Sequence, residues 1–155
     1  MATRMQLCTF TVDDLLFGVD VMRVQEIIQY QHMTRVPLAP KLIRGLINLR
    51  GQIVMAVDLR ERLDLPPRGG DEPPTNVVVQ GVDAAVSLLV DSVGDVIEVS
   101  DDSFESPPAT MLPRYRQVVD AVCKLPHGLL LLLDPERAAS SSSDGALVGN
   151  LGYGR

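Results

Sequence analysis

Two histidines, two cysteines and a scatter of carboxylates are the groups in this chain that could do chemistry. Histidine is the most common acid–base residue and metal ligand. His32 and His127, however, each fall in or beside a loop, with no cysteine or carboxylate at ligand spacing. Both read as incidental exposed side chains. Cys8 and Cys123 stand alone within strand-like runs, and Lys124 is the only adjacent base that could lower a thiol pKa. They read as two ordinary thiols rather than a disulfide.

The stretch Leu88-Leu89-Val90-Asp91-Ser92-Val93-Gly94 is a candidate for the catalytic strand of a small β-barrel aspartyl hydrolase built around Asp91. Val93 stands where the tight turn of such a strand needs glycine. The corresponding Asp20-Val21-Met22 lacks the motif, so Asp91 has no second carboxylate with which to share a proton. Capping a short turn is the better role for Asp91. Asp101-Asp102 with Glu105 could suggest a cation site, but an acidic first turn after Ser100 accounts for them. No phosphate-binding loop, nucleophile elbow or dinucleotide fingerprint is present. The chain is expected to have no catalytic residues, no metal and no cofactor.

The composition narrows the class further. Of 155 residues 46% are hydrophobic, with no Trp, three Tyr and three Phe, so the core must be aliphatic and the β-branched share favours strands. A net charge of -6 argues against nucleic acid, whose phosphates call for a basic stripe. The longest apolar runs, such as 129–133, have five residues, far short of the roughly 20 of a membrane-spanning helix, so no direct membrane insertion is expected. Residues 1–6 carry one Arg and lead into an alternating strand without the apolar stretch of a secretion signal, which points to the cytoplasm.

The elements that would position any surface repeat. Strands are predicted over 5–12, 15–19, 26–31, 46–49 and 53–57, with Asp13-Asp14 and Arg50-Gly51 as turns and a Pro-rich connection over 34–40. Asp20 should cap a helical turn over 21–24, and Asp58 another, with Glu61 closing a capping box. Residues 65–74 hold four Pro and two Gly and read as a linker. The same grammar then returns with strands over 75–80, 84–90, 95–99, 117–123 and 129–133, a Pro-rich connection over 100–116, and Asp134-Pro135 opening a last turn. Asp13 corresponds to Asp83, Asp20 to Asp91 and Asp58 to Asp134. The expectation is an all-β domain over 1–139 made of two packed five-stranded barrels, one about 5–64 and one about 75–138. Each is small enough that the two should share apolar surface, and the pattern leaves the first strand free to complete either barrel. Residues 140–155, with four serines in a row, read as a disordered tail.

Several blocks resemble the CheW family of chemotaxis coupling proteins, also found as the regulatory domain of the kinase CheA. Phe10-Thr11-Val12 and Phe17-Gly18-Val19-Asp20 match its opening hairpin, and Val24-Gln25-Glu26-Ile27 matches the segment after it. Val36-Pro37-Leu38-Ala39-Pro40 matches in proline spacing, and the longest match is Ile43-Arg44-Gly45-Leu46-Ile47-Asn48-Leu49-Arg50-Gly51, followed by Ile53 and Val57-Asp58-Leu59-Arg60. Val90-Asp91-Ser92-Val93-Gly94-Asp95-Val96 resembles a later stretch. Met55 departs from the family, which commonly has Pro there. The resemblance covers about 5–138 and implies two SH3-like barrels. It also implies a non-enzymatic adaptor joining the cytoplasmic tip of a methyl-accepting chemoreceptor to the regulatory domain of a CheA-type histidine kinase, recruited to receptor arrays at the inner face of the membrane or to cytoplasmic receptor clusters. The same scaffold serves flagellar chemotaxis and non-flagellar outputs such as pilus motility, gliding or gene regulation. By this resemblance Val21, Val24, Glu26, Arg50 and Gly51 are candidate receptor contacts, and Met55, Val96 and Ile97 candidate kinase contacts.

Overall fold

A computed structural model describes residues 3–139; the expected tail over 140–155 lies outside the described residues. Eleven strands fall into two sheets. In the first half they are β1 (Arg4–Val12), β2 (Leu15–Asp20), β3 (Val24–Ile28), β4 (Ile43–Leu49) and β5 (Gln52–Asp58). After the connection over 65–74 come β6 (Thr75–Gln80), β7 (Ala85–Val90), β8 (Ser92–Ser100), β9 (Phe104–Glu105), β10 (Val119–Leu125) and β11 (Gly128–Leu133). Three single-turn helices, α1 (Leu59–Arg62), α2 (Pro113–Arg116) and α3 (Pro135–Ala138), close the connections. The Pro-rich stretch 100–116 is thus less irregular than its composition implies, since it holds β9 and α2.

The sheets run β3-β6-β7-β5-β4 and β8-β1-β2-β11-β10-β9. Apart from β9 these orders are the same arrangement twice, with β6-β7 in one sheet where β1-β2 stands in the other. The repeat seen in the sequence is therefore a repeat of structure, but each sheet takes its central hairpin from the opposite half of the chain. A division into barrels at 5–64 and 75–138 has to be corrected on this point. The exchange takes place at two crossovers. Three of the four hairpins reverse through a residue with positive φ, at Asp13, at Arg50-Gly51 and at Gly128, and the β6–β7 hairpin reverses through 81–84 without one. None stands at 20–24 or at Asp91. There the backbone continues forward and enters the neighbouring sheet.

Each sheet also curls toward closure. Thr34, beyond the end of β3, exchanges two backbone hydrogen bonds with Leu46 of β4, joining the sheet's two edges. β9 does the same for the other sheet, pairing with β10 as the continuation of β8. Gly45 sits at the first seam, where a Cβ would lie 2.7 Å from the Thr34 carbonyl oxygen and 3.0 Å from the Met33 Cβ. Gly45→Ala should therefore cost about 1–3 kcal/mol by forcing the seam apart. Denaturant titration checks it, and an unchanged midpoint would count against the seam.

The two sheets enclose one shared core. Phe10, Phe17 and Val19 of the first hairpin pack with Val57, Val77 and Leu88 of the other sheet and with Leu131 and Leu133 of their own. The Phe10 and Phe17 rings stack at 5.7 Å. A smaller cluster, Leu7, Val99, Cys123 and Leu130, fills the other face of β1. β1 is thus covered on both faces, and Leu7 to Phe10 are buried without a break.

Candidate functional site

Asp20 ends β2 and its carboxylate accepts the Met22 backbone N–H at 2.9 Å, capping a single 3₁₀ turn, Val21–Arg23, as the sequence leads one to expect. None of the three residues of that turn is buried, and Met22 is 87% exposed. The chain then enters β3, an edge strand, where Val24 and Glu26 are half-buried and Ile27 is exposed. Sequence reasoning misses Met22. Its only signal is an apolar side chain directly after a cap, in a turn too short to bury it.

Arg50 and Gly51 form the β4–β5 turn, with φ of 51° and 87°. The Asn48 side chain accepts the Gly51 N–H at 3.0 Å and holds the turn. The Arg50 guanidinium reaches across the barrel to Glu26 on β3 and donates a fork of hydrogen bonds, at 3.1 and 2.5 Å. β3 lies at one edge of this sheet and the β4–β5 hairpin at the other, so the pair spans the opening of the barrel. Arg50 is 70% exposed and Glu26 26%, which leaves the cation presented to solvent on a fixed carboxylate. Gln25, Leu49, Gln52 and Val78 join the pair around a hollow of about 310 Å³. Of the receptor candidates, Val24, Glu26, Arg50 and Gly51 thus lie on or beside this opening, with Val21 on the turn that leads into it.

The kinase candidates do not come together. Met55 is 5% exposed and lies within β5, between β7 and β4. Its side chain belongs to the shared core, which corrects its assignment to a contact surface. β5 is buried on both faces from Val54 onward, so alternation gives no guide there. Val96 is 57% exposed and Ile97 half-buried on β8, the free edge of its sheet. The register aligns Val19, Cys8 and Val96 in one row and Asp20, Leu7 and Ile97 in the next. At the usual strand spacing this sets Ile97 about 10 Å from Asp20. Val96 and Ile97 therefore sit on the same flank as the capped turn.

Asp91 proves to be neither a cap nor a free acid. β8 starts at the next residue, so there is no turn to cap. Its carboxylate accepts the Asp13 backbone N–H at 2.7 Å, two bonds from Arg60 at 3.0 and 2.6 Å, and two from Arg68 at 3.1 and 2.8 Å. Burial works to raise the Asp91 pKa, but the hydrogen bonds from Arg60, the Asp13 amide and Arg68, with the Arg60 charge, outweigh it and hold the group below its ordinary value. Both oxygens are engaged and the group is held ionised, which suits a structural clasp better than an acid, base or nucleophile. Asp58 does cap α1 through the Arg60 N–H, but its own N–H goes to Leu42 and Glu61 closes no capping box. Both cysteines are free and buried, and burial raises both thiol pKa values, helped at Cys123 by the Glu105 charge.

A further pair of hollows lies at the Pro-rich loops. One, about 700 Å³, is lined by Tyr30, Met33, Val36, Leu38, Lys41 and neighbours; the other, about 570 Å³, by Met111, Leu112, Pro113, Arg116 and neighbours. Leu38 is fully exposed with φ of 64°, and Leu112 is 47% exposed. The loops connect equivalent strands of the two sheets, so the hollows occupy corresponding ends of the two barrels.

A family model described as the CheW-like domain matches residues 6–143. The chain is 31% identical over 140 residues to the chemotaxis protein CheW of Treponema pallidum (strain Nichols), covering 88% of this chain and 82% of that protein. It is 31% identical over 142 residues to the chemotaxis protein CheW of Klebsiella aerogenes, covering 92% and 85%. Among solved structures, the scaffolding protein TtCheW from Thermoanaerobacter tengcongensis matches with a TM-score of 0.83 at 24% identity, over 94% of this chain and 99% of that one. The last likeness speaks for the fold alone.

Proposed function

Because the chain belongs to the CheW-like family, we propose that it is a non-catalytic adaptor that joins the cytoplasmic tip of a chemoreceptor to the regulatory domain of a CheA-type histidine kinase. The observation that carries the reading is the exposed turn and barrel opening formed by Met22, Glu26 and Arg50. A receptor helix would lay an apolar face on the turn and β3, with Arg50 fixing its register through forked hydrogen bonds to a carboxylate or carbonyl. Val96 and Ile97, on the same flank, would then belong to the receptor side rather than to the kinase side.

The kinase would meet the barrel ends. The two hollows under the Pro-rich loops support this, since each offers exposed apolar residues. Arg35 and Lys41 at one and Arg116 at the other have no ion pair among the described residues, which suits an acidic partner. Two such ends on one adaptor let adaptors and kinases alternate in a chain or ring. No described helix is long and apolar enough to cross a membrane, and the adaptor would work in the cytoplasm, held at arrays by its receptors.

Arg50→Glu tests the reading. The exposed pair with Glu26 contributes only about 0–1 kcal/mol to stability, so the variant should remain folded. It should lose roughly tenfold or more in receptor-tip affinity, about 1.4 kcal/mol, and fail to recruit kinase in a pull-down. Combining it with Glu26→Arg restores the internal pair but should not restore binding. Unchanged receptor capture, or rescue by the swapped pair, overturns the assigned role.

A further inference from the structure

The connection over 65–74 has the composition of a flexible linker, yet it is tied down at three places. Leu65 packs against the shared core, Pro74 is buried, and between them the Arg68 side chain, only 14% exposed, points inward onto Asp91. Arg68 donates through Nε and one terminal nitrogen, both to the same Asp91 oxygen. Arg60 engages both Asp91 oxygens and also donates to the Pro66 carbonyl at 2.8 Å, adding a second tie to the segment. Its charge also lies 3.8 Å from the Asp13 carboxylate. One carboxylate thereby holds the linker, the helix that follows β5 of one sheet, and the β1–β2 turn of the other.

The position of Asp91 gives this arrangement its meaning. The chain crosses between sheets through two equivalent points, Asp20 and Asp91. At the first the aspartate only caps its own turn, and the turn's side-chain tie to the rest of the fold is the solvent-facing Arg23–Glu136 pair at 3.3 Å. At the second the aspartate clasps three separate segments. We propose that residues 65–74 form a strap latched by Arg68 onto Asp91, which fixes one of the two crossovers between the barrels and leaves the other, Asp20 to Val24, as the yielding one. The latch is ionic and partly buried, so it holds by charge-assisted hydrogen bonds rather than by apolar packing. A change at Arg68 frees the middle of the strap, while Leu65, Pro74 and the Arg60 bond to the Pro66 carbonyl still hold its ends.

Limited trypsin digestion of the full chain reads the latch directly, because cleavage after residue 68 requires that side chain to leave Asp91. In the wild type the bond after Arg68 should be cut far more slowly than the bond after Arg35 in the exposed Pro-rich loop. Arg68→Lys keeps a trypsin site and leaves the Asp91–Arg60 pair in place, but a lysine cannot make the forked contact. Cleavage after residue 68 should then rise about tenfold, with cleavage after Arg35 unchanged, as expected for local opening without unfolding. Asp91→Asn should raise it further and speed amide exchange at 91–93 toward the rate at 21–23. Equal cleavage after Arg68 and Arg35 in the wild type overturns the latch. So does an Arg68→Lys protein cut no faster than the wild type, or a wild type in which 91–93 exchange as fast as 21–23.

Discussion

Replacing Phe17 with alanine should unfold both barrels together, at a cost of about 3–5 kcal/mol. Phe17 lies in the hairpin that one half of the chain contributes to the sheet built mainly by the other half. Its ring stacks on Phe10, and the cluster around it includes Val57, Val77 and Leu88 from the second sheet. A cavity there removes apolar contacts from both sheets at once. Domains of this size hold only about 5–15 kcal/mol in all, so the loss would leave a protein close to its threshold. Hydrogen exchange followed through a denaturant titration checks the coupling, with β6 reporting one sheet and β10 the other. A single shared midpoint, lower than in the wild type, is expected. Two separated transitions would mean that the barrels are independent units and that the exchanged hairpins do not bind them.

That coupling could not be read from the residues, although much around it could. The doubled pattern of strands, the reversal at Arg50-Gly51 and the cap at Asp20 follow from local chemistry, since glycine, positive φ and an aspartate before an apolar run act within a few residues. Which sheet a hairpin joins is decided by pairings such as β2 with β11, between residues more than a hundred positions apart. The burial of Met55 was hidden for a related reason. β5 is covered on both faces, so its sequence has no alternation to mark an inside. Asp91 misled in another way. A carboxylate before a polar residue looks like a cap, and only the fold brings Arg60, Arg68 and the Asp13 amide to it. The sequence offers Arg50 either as a contact residue or as a partner of Glu26, and closure of the barrel brings the two together across 24 residues.

Met22→Asp should leave stability within about 0.5 kcal/mol of the wild type and reduce receptor-tip binding roughly thirtyfold, about 2 kcal/mol. The first half of that expectation rests on exposure. At 87% exposure the side chain contributes little to the core, and the turn that carries it is held by the Asp20 carboxylate on the Met22 backbone N–H, which the substitution keeps. The second half rests on what an adaptor must spend to keep an unbranched apolar side chain in water. Methionine adapts to an irregular partner surface, whereas an aspartate at that place would have to be desolvated without a partner. Met22→Leu should therefore retain most of the binding, and pairing Met22→Asp with Arg50→Glu should cost less than the two separate losses added together if one helix meets both residues. Calorimetric titration with a receptor-tip fragment gives all three values. Full additivity would place the two residues on different partners, and undiminished binding by Met22→Asp would remove the turn from the interface.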